Sequence, residues 1–501
     1  MIAVADRRAG SAGGPSMLFS SYAFLLVFLP LTLAGYYFLR HFGRREASIS
    51  FLLVASLVFY AQWNLAHCAL LILSIAVNYA LGRLAAEGPE KGRRVALHVA
   101  IAFNLSLIFW FKYFDFAASN AAALVGLDYA LLNIVLPLGI SFFTFQQVAY
   151  VVDCHRTGEC ERSPRDFALF VTFFPQLIAG PIVHHGYTRP QFANLAKNPV
   201  NLDLIPYGVM IFAMGLAKKT LIADPIARAI DPLFAAAGAG DILTAAEAWT
   251  AMVGYALQIY FDFSGYCDMA IGLGLLFGIR LPINFMSPYK ARSIIEFWRR
   301  WHMTLSAFLR DYVYIALGGN RKGELFRLRN VFLTMLIGGV WHGAAWTFVI
   351  WGLIHAALIT LNHAARLWLP QLDVMRSPPA VVAKRAALMT AVMIAWIFFR
   401  SETLPAAFGM TASLVGAPGP LPVSGSILAL MALAAGLALF APNSLEIAGY
   451  QEKLSAAFPR PAGFAPKFLQ PTPLAALSAA ILLVGGLAAA WKPAVFIYFN
   501  F

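Results

Sequence analysis

Two histidines stand in strongly apolar stretches of this chain. His302 lies in the run SIIEFWRRWHMTLSAFLRDYVYIALGGNR, residues 293–321, and His342 lies in the run GGVWHGAAW. Ionisable groups at membrane depth are costly, so a chain that carries them there generally uses them. The imidazole is also the side chain whose ordinary pKa lets it accept and return protons near neutral pH. The two histidines are 40 positions apart (342 minus 302), which predicts that they come from different segments and face one cavity.

Each histidine also has a structural interpretation. One face at helical spacing is shared by Trp298, Trp301, Leu305 and Leu309. This predicts an amphipathic helix that lies at the cytoplasmic interface or dips into the protein. His302 would then lie at the level of the lipid headgroups.

His342 follows two glycines, which let neighbouring helices approach closely, so it is either a catalytic base or a hydrogen-bonding contact between helices. His355 and His363 fall on the next apolar segment, where helix packing is the favoured interpretation.

Several other polar residues interrupt apolar runs. Asp262 and Asp268 lie within YFDFSGYCDMAIG, where a carboxylate can orient a histidine, bind a cation or, by default, pair with an arginine. Gln176 and Asp311 are further candidates for supporting polar roles. The triplet Cys154, His155 and Cys160 lacks a second pair of ligands, so no metal site is predicted.

Familiar soluble-enzyme motifs are missing from the sequence. It contains no phosphate-binding P-loop, no GxSxG nucleophile elbow, no HExxH zinc motif and no dinucleotide-binding glycine pattern. ATP hydrolysis, serine-esterase chemistry and zinc proteolysis therefore have no support.

The composition is that of a polytopic membrane protein. Of the 501 residues, 60% are hydrophobic and 12% are charged, about half the charged share of a soluble domain. Apolar runs recur from residue 18 to residue 490 without a long polar gap, which predicts one membrane domain over residues 17–501, with a catalytic core at about 130–370. The polar, glycine-rich residues 1–16 are expected to be a disordered extension, and translation starts at either Met1 or Met17.

Hydropathy predicts fourteen candidate spans, of which about eleven or twelve should truly cross the membrane. Their limits are 18–39, 49–63, 67–81, 95–111, 129–152, 167–183, 204–222, 246–263, 264–279, 331–341, 345–369, 386–399, 427–440 and 474–491. Prolines interrupt or flank several of these runs, and broken backbone at membrane depth is typical of segments that line a cavity.

Charge gives an orientation. The net charge is +13, and arginines and lysines follow the first, third and fifth spans, as cytoplasmic loops do. The N-terminus is therefore predicted to lie outside, and binding to nucleic acid is not needed to explain the charge. Two residues do not fit this orientation, Lys218 and Lys219, because they fall near the outer end of a span. We expect them to reach towards the interface, or the segment not to cross fully.

These motifs resemble the membrane-bound O-acyltransferase family, and in particular its bacterial branch that acetylates alginate. The resemblance extends to about residue 352, and the combination of WRRWHMTLSAFLRDYVY with WHG is highly specific. The matching runs are MLFSSYAFLLVFLPL, LPLGISFFTFQQVAYVVD, FPQLIAGPIVHH, YFDFSGYCDMAIGLGLLFGIRLPINFMSPY, FWRRWHMTLSAFLRDYVYIALGGNRKG and GGVWHGAAWTFVIWG.

The resemblance implies an all-α membrane fold, a ring of tilted helices around a thin core with cytoplasmic and periplasmic funnels. It implies that His342 is the catalytic histidine and His302 a second functional one. It implies that acetyl-coenzyme A is the donor substrate from the cytoplasm, with no tightly bound cofactor. It also implies that a periplasmic acetyltransferase partner completes transfer to an exported polysaccharide, most favourably alginate, at the bacterial inner membrane.

The implied roles suit the residue types. His342 would take the proton of an acceptor hydroxyl, and His302 or a backbone N–H would steady the oxyanion. A basic stretch is the candidate for the coenzyme A phosphates, although the positive-inside rule explains it equally well. Its candidate binding residues are Lys290, Arg292, Trp298, Arg299 and Arg300.

Two other functions stay open. One is D-alanyl transfer to a cell-envelope polymer from a carrier-protein thioester, and the other is transport of a glycan or an acyl group.

Overall fold

A computed structural model describes residues 17–368, 378–450, 472–490 and 497. The described part is helical and contains no strand. The first nine helices are α1 (Leu29–His41), α2 (Arg45–Ala61), α3 (Leu65–Glu87), α4 (Glu90–Ile108), α5 (Phe114–Leu124), α6 (Ile140–Thr157), α7 (Pro164–Thr172), α8 (Phe174–Leu177) and α9 (His185–Lys197).

The later part of the chain holds twelve more α-helices within the described ranges. They are α10 (Ile205–Ala217), α11 (Asp224–Ala239), α12 (Ala245–Leu276), α13 (Ile294–Arg300), α14 (Met303–Phe308), α15 (Glu324–His342), α16 (Trp346–Trp368), α17 (Pro378–Arg400), α18 (Leu404–Ser413), α19 (Gly425–Leu439), α20 (Ser444–Ile447) and α21 (Pro473–Ala489). Four π-helical segments adjoin them, at Ala23–Phe28, Phe109–Tyr113, Lys218–Ala223 and Leu309–Tyr314.

Six helical stretches in the described ranges are long and apolar enough to cross a membrane, and two shorter apolar helices accompany them. The six are Ala23–His41, Leu65–Glu87, Glu90–Leu124, Leu202–Ala239, Trp346–Ala365 and Pro379–Arg400; the shorter two are Gly425–Leu439 and Pro473–Ala489. The prediction of an all-α polytopic membrane protein is therefore confirmed.

The described residues form two compact units. The first comprises residues 17–212 and 268–282, and the second comprises residues 213–267 and 283–497. That residues 17–501 form one membrane domain stays a prediction, and the expected extension, residues 1–16, lies outside the described residues.

The first unit is joined by hydrogen bonds among buried polar side chains. Asn78 of α3 and Asn104 of α4 exchange hydrogen bonds of 2.6 and 3.3 Å, and Gln147 of α6 donates to Ser74 at 3.1 Å. Such side chains bond across helices where no water competes. Gln147 is therefore an internal packing contact of the first unit.

The predicted span 129–152 is wrong in its first half, since α6 begins only at Ile140. The preceding segment is non-helical, and Asp115 accepts hydrogen bonds from the Tyr129 hydroxyl at 2.9 Å and from the backbone N–H groups of Leu132 and Asn133 at 3.0 Å. These bonds give the backbone N–H groups of the loop partners that a helix would otherwise supply. The aspartate thus stabilises a loop whose apolar composition alone predicts a helix.

The predicted spans 246–263 and 264–279 are one helix, α12. Gly265 in its middle does not mark a turn. A Cβ atom there would lie 2.8 Å from the carbonyl oxygen of Gly215, so the glycine permits close approach of α10 and α12. The run 167–183, by contrast, is broken, because α7 ends at Thr172 and α8 spans only four residues around Pro175.

Candidate active site

His302 lies in a break between two short helices of the second unit. The backbone N–H of Trp301 closes α13 by bonding to the Phe297 carbonyl at 2.8 Å, and the His302 carbonyl accepts from Ser306 at 3.0 Å to open α14. His302 itself adopts φ +44°, a left-handed conformation that is uncommon outside glycine. The expected continuous amphipathic helix is therefore wrong.

The break turns His302 into the protein interior. Its side chain is fully buried and packs edge-on against Phe263, with ring centres 4.9 Å apart. Its Nδ1 atom lies 3.2 Å from Oδ1 of Asn284. The side chain of His302 therefore packs inside the protein and does not face lipid headgroups.

His342 is the last residue of α15, and its side chain is 4% exposed. Three aromatic rings surround it, those of Trp341 and Trp351, with centres at 4.9 Å, and that of Phe399 at 5.1 Å. Such a setting excludes bulk water, which strengthens any electrostatic interaction with a bound substrate.

The two imidazoles lie close together in the protein interior. The ring centres of His302 and His342 are 6.4 Å apart, and Trp341 lies 6.5 Å from His302. Both histidines belong to the second unit. The fold thus brings together two side chains separated by 40 positions in the sequence, whereas their catalytic roles remain predictions.

The glycines around His342 have separate packing reasons. A Cβ atom on Gly343 would lie 2.1 Å from the ring of Phe348, which packs on Phe399 at 5.1 Å. A Cβ atom on Gly339 would lie 2.5 Å from Cα of Gly352, where α15 and α16 meet. These glycines let the end of α15 pack closely enough to hold His342 in place.

His355 forms a second buried imidazole contact on α16. The indole N–H of Trp298 donates to its Nδ1 at 3.2 Å, and both side chains are buried. An indole N–H only donates, so Nδ1 of His355 is the acceptor and its hydrogen is on Nε2. The helix-packing interpretation of His355 fits this bond, and Trp298 couples α13 to α16 through it.

Trp298 also lines a cavity of about 230 Å³. The cavity wall is largely apolar and includes Leu309, Arg310, Met335, Ile359 and His363. The sequence suggests Trp298 as a binding residue for the acyl donor, and its place beside a cavity is compatible with that role.

The predicted basic residues are engaged to different extents. Lys290 donates to the Ala441 carbonyl at 2.6 Å, and burial lowers the pKa of its ammonium group. Arg300 pairs with Glu296 at 2.8 Å and donates to the Met286 carbonyl. Arg292 and Arg299 are exposed. The two exposed guanidinium groups are thus the best placed of the predicted set to meet an anion from solution.

The carboxylate of Asp262 has a different partner from the one expected. Its Oδ1 atom lies 2.8 Å from Nζ of Lys219, which is also 2.8 Å from Asp224, and its Oδ2 atom accepts from the Ile497 N–H at 3.0 Å. The default arginine pairing is therefore wrong for Asp262. Lys219 does not reach towards the interface either, because its side chain is only 4% exposed.

The other supporting candidates lie in different surroundings. Asp311 pairs with its neighbour Arg310 at 2.6 Å in a partly exposed position. Gln176 and Asp268 belong to the first unit, where both are buried, and Gln176 donates to the Phe170 carbonyl. The described residues contain no group of three His, Cys, Asp or Glu side chains arranged to hold a metal ion.

Sequence reasoning missed two site residues. Asn284 is fully buried and contacts His302, and its only signal was a polar residue in the apolar run LPINFMSPY. Lys219 gives one signal in the sequence, a positive charge near the outer end of a predicted span. In each case, a polar residue within an apolar run was the sequence signal that could have identified the residue.

Comparison of the chain with known proteins identifies its family. Residues 26–399 match the model of the membrane-bound O-acyltransferase family. The chain is 41% identical over 434 residues to a protein named peptidoglycan O-acetyltransferase from Helicobacter pylori, covering 80% of each chain. It is also 41% identical over 401 residues to one named probable alginate O-acetylase AlgI from Pseudomonas putida, covering 79% of each.

A more distant relative, named teichoic acid D-alanyltransferase, comes from Bacillus subtilis. It is 30% identical over 254 residues, which cover 47% of this chain and 61% of the relative. The family match spans both histidine motifs and most of the described helices. The chain therefore belongs to the membrane-bound O-acyltransferase family and is an acyltransferase.

Proposed function

We propose that this protein transfers an acetyl group from cytoplasmic acetyl-coenzyme A, across the bacterial inner membrane, for O-acetylation of an exported polysaccharide. The observation that carries the proposal is the pair of buried imidazoles with ring centres 6.4 Å apart. Relatives named for alginate and for peptidoglycan O-acetylation, each 41% identical, support a polysaccharide acceptor.

The chemistry needs a base beside a hydroxyl. A hydroxyl is a weak nucleophile until its proton is removed, and a positioned imidazole contributes about two to four orders of magnitude in rate. We assign this role to His342 and make His302 its partner, as the resemblance implies. The aromatic walls around His342 keep out water, which would otherwise hydrolyse the thioester.

The exposed Arg292 and Arg299 are proposed to attract the phosphates of coenzyme A, and Trp298 to contact the donor beside its cavity. A periplasmic acetyltransferase partner is proposed to receive the acetyl group on the outer side, with the N-terminus of this chain outside. Alginate is the proposed acceptor polymer; peptidoglycan is the second candidate, favoured by the Helicobacter pylori relative.

The test is acetyl transfer by purified protein in lipid nanodiscs with acetyl-coenzyme A, with and without the periplasmic partner, measured as thiol release and as radiolabelled ester on alginate or on peptidoglycan. His342→Ala should lose about a hundredfold or more in turnover. His98→Ala is the matched control, because His98 is exposed on α4 in the first unit. A folded His342→Ala protein with normal turnover would overturn the proposal.

The same assay separates the alternatives. A D-alanyl transferase would use a carrier-protein thioester and ignore coenzyme A. A transporter would keep its flux when both His302 and His342 are replaced.

A further inference from the structure

The cavity beside Trp298 has a volume of about 230 Å³ and lies against the helix that ends in His342. Helix α15 contributes three residues to the cavity wall, which are Val331, Thr334 and Met335. Met335 precedes His342 by seven positions (342 minus 335), which is about two turns, or about 10 Å, along a helix. The cavity is therefore set back along α15 from the imidazole.

Helix α16 runs along both the cavity and the surroundings of His342. At intervals of four residues it carries Trp351, His355, Ile359 and His363, which therefore form one stripe along the helix. Ile359 and His363 line the cavity, whereas the ring of Trp351 packs on His342 with the ring centres 4.9 Å apart. The stripe thus leads from the cavity to the proposed catalytic histidine.

The indole of Trp298 stands between these two regions. It lines the cavity, and its ring centre lies 5.9 Å from that of Trp351 and 5.2 Å from that of His355. Its N–H donates to Nδ1 of His355 at 3.2 Å, and Trp298 is buried. A large side chain, held by ring contacts and by a hydrogen bond, thus closes the end of the cavity that is nearer to His342.

We infer that Trp298 is a specificity-determining residue that limits the acyl group of the donor to a short one. The inference rests on the proposed function, in which the thioester carbonyl comes to His342. The rings of Trp341, Trp351 and Phe399 surround that imidazole, so the acyl group has little room there. An acetyl group needs space for one methyl group, whereas a longer chain needs the space that lies behind Trp298.

The cavity wall suits a hydrocarbon chain, since most of it is apolar. The hydroxyl groups of Ser306 and Thr334 on this wall already donate to backbone carbonyls, those of Trp298 at 3.2 Å and Asn330 at 2.6 Å. The charged residue of the wall, Arg310, has a side chain that is 64% exposed, so its guanidinium group lies towards the outside. Hydrocarbon that leaves water for such a wall is stabilised in proportion to the area buried.

The test measures thiol release from acetyl-, butyryl- and hexanoyl-coenzyme A by the full-length protein in lipid nanodiscs, with the polysaccharide acceptor present. The wild type should prefer acetyl-coenzyme A. Trp298→Ala joins the cavity to the space beside His342, so the ratio of kcat/KM for the hexanoyl donor to that for the acetyl donor should rise about tenfold or more. A merely structural tryptophan would, when replaced, lower kcat/KM for all three donors alike. An unchanged ratio, or a wild type that prefers the hexanoyl donor, would overturn the inference.

Refilling the cavity gives a second measurement. Ile359→Trp in the Trp298→Ala background returns an indole to the cavity wall, so the ratio should fall back towards the wild-type value. A ratio that stays high in the double variant would contradict the blocking role. Trp298→Phe keeps a ring but loses the hydrogen bond to His355, and should retain most of the preference for acetyl-coenzyme A.

Trp396→Ala is the matched control. Trp396 also packs on Trp351, with ring centres 5.9 Å apart, but it is not among the described residues of the cavity wall. The variant therefore loses an indole of the same size without opening the cavity, and its hexanoyl-to-acetyl ratio should stay at the wild-type value. A ratio that rises as much in Trp396→Ala as in Trp298→Ala would overturn the inference.

Thermal unfolding shows which of the variants fold. If Trp298→Ala does not fold, Trp298→Leu, which opens part of the same space, decides by the same ratio. A wild type that transfers acetyl groups normally, with an unchanged ratio in the folded Trp298 variants, removes only the role of Trp298. A wild type that takes no acyl group from any of the three coenzyme A thioesters removes the proposed function and, with it, this inference.

Discussion

The Nζ atom of Lys219 lies 2.8 Å from Oδ1 of Asp262, in a position where neither side chain is more than 4% exposed. Asp224 occupies the other side of the ammonium group, also at 2.8 Å. Removing one member of a buried ion pair leaves an uncompensated charge, which typically costs about 3–5 kcal/mol. The pair joins α12 to the π-helical segment Lys218–Ala223.

Lys219→Met should therefore lower the free energy of unfolding by about 3–5 kcal/mol. The measurement is thermal or chemical unfolding in detergent, with Lys91→Met as the control at an exposed lysine. Replacing Asp224 and Asp262 by asparagine in the Lys219→Met background should recover part of the loss. Equal stability of Lys219→Met and the wild type would mean that the ion pair does not support the fold.

Two adjacent glycines on α15 should respond very differently to alanine. A Cβ atom on Gly339 would lie 2.5 Å from backbone of Gly352, which cannot move without separating α15 from α16. A Cβ atom on Gly338 would meet only the end of the Leu309 side chain, at 3.0 Å. Gly339→Ala should destabilise the protein and reduce turnover, since His342 lies one helical turn further on.

Gly338→Ala is the matched control and should keep near-normal stability and turnover. Thermal unfolding and thiol release measured on both variants check the contrast. The packing argument would be wrong if the two alanine variants lost stability equally.

The pair Glu161 and His185 should make the first unit sensitive to acid. Burial alone would raise the pKa of the Glu161 carboxyl. Hydrogen bonds from His185, at 3.2 Å, and from the backbone of Ser163 and Arg162 outweigh it, and its pKa lies below the ordinary 4.5. A carboxyl with a lowered pKa contributes stability above its unfolded pKa and loses it as the pH falls through the folded one.

Glu161→Gln should accordingly be less stable than the wild type at neutral pH, and the difference should shrink below about pH 4.5. Melting temperatures of both proteins between pH 7 and pH 3 measure this. Glu159→Gln, at an exposed carboxylate, should show no such convergence. A stability difference that stays constant across the pH range would exclude Glu161 as the source.

Substitutions of two neighbouring arginines should affect different properties, the binding of the donor and the stability of the protein. Arg299 is exposed, whereas Arg300 is tied to Glu296 at 2.8 Å and to the Met286 carbonyl at 3.2 Å. Arg299→Ala should raise KM for acetyl-coenzyme A several-fold at low salt, and the effect should fade as salt screens the phosphates. Arg300→Ala should act chiefly on stability. Unchanged donor KM in Arg299→Ala at low salt would remove that arginine from phosphate binding.

Most of the membrane-crossing helices could be predicted from the sequence. Apolar runs of about 20 residues have few alternatives to a membrane-crossing helix, because lipid offers backbone groups no partners. The predicted limits of a span were wrong where a polar side chain from another segment stabilises non-helical backbone, as Asp115 does for the segment before α6. The limit predicted between residues 263 and 264 failed as well, because α12 continues through Gly265, which packs closely against α10.

The sequence by itself determined an all-α membrane protein, because hydropathy is a property of the linear chain. Its resemblance to the membrane-bound O-acyltransferase family implied an acyltransferase with two histidine motifs. Only the tertiary structure decided that His302 lies in a break of its helix, that Asn284 contacts its Nδ1 atom and that Lys219 pairs with Asp262. These are contacts between side chains distant along the chain. Their partners are selected by packing and by the cost of burying polar groups alone, which no local pattern records.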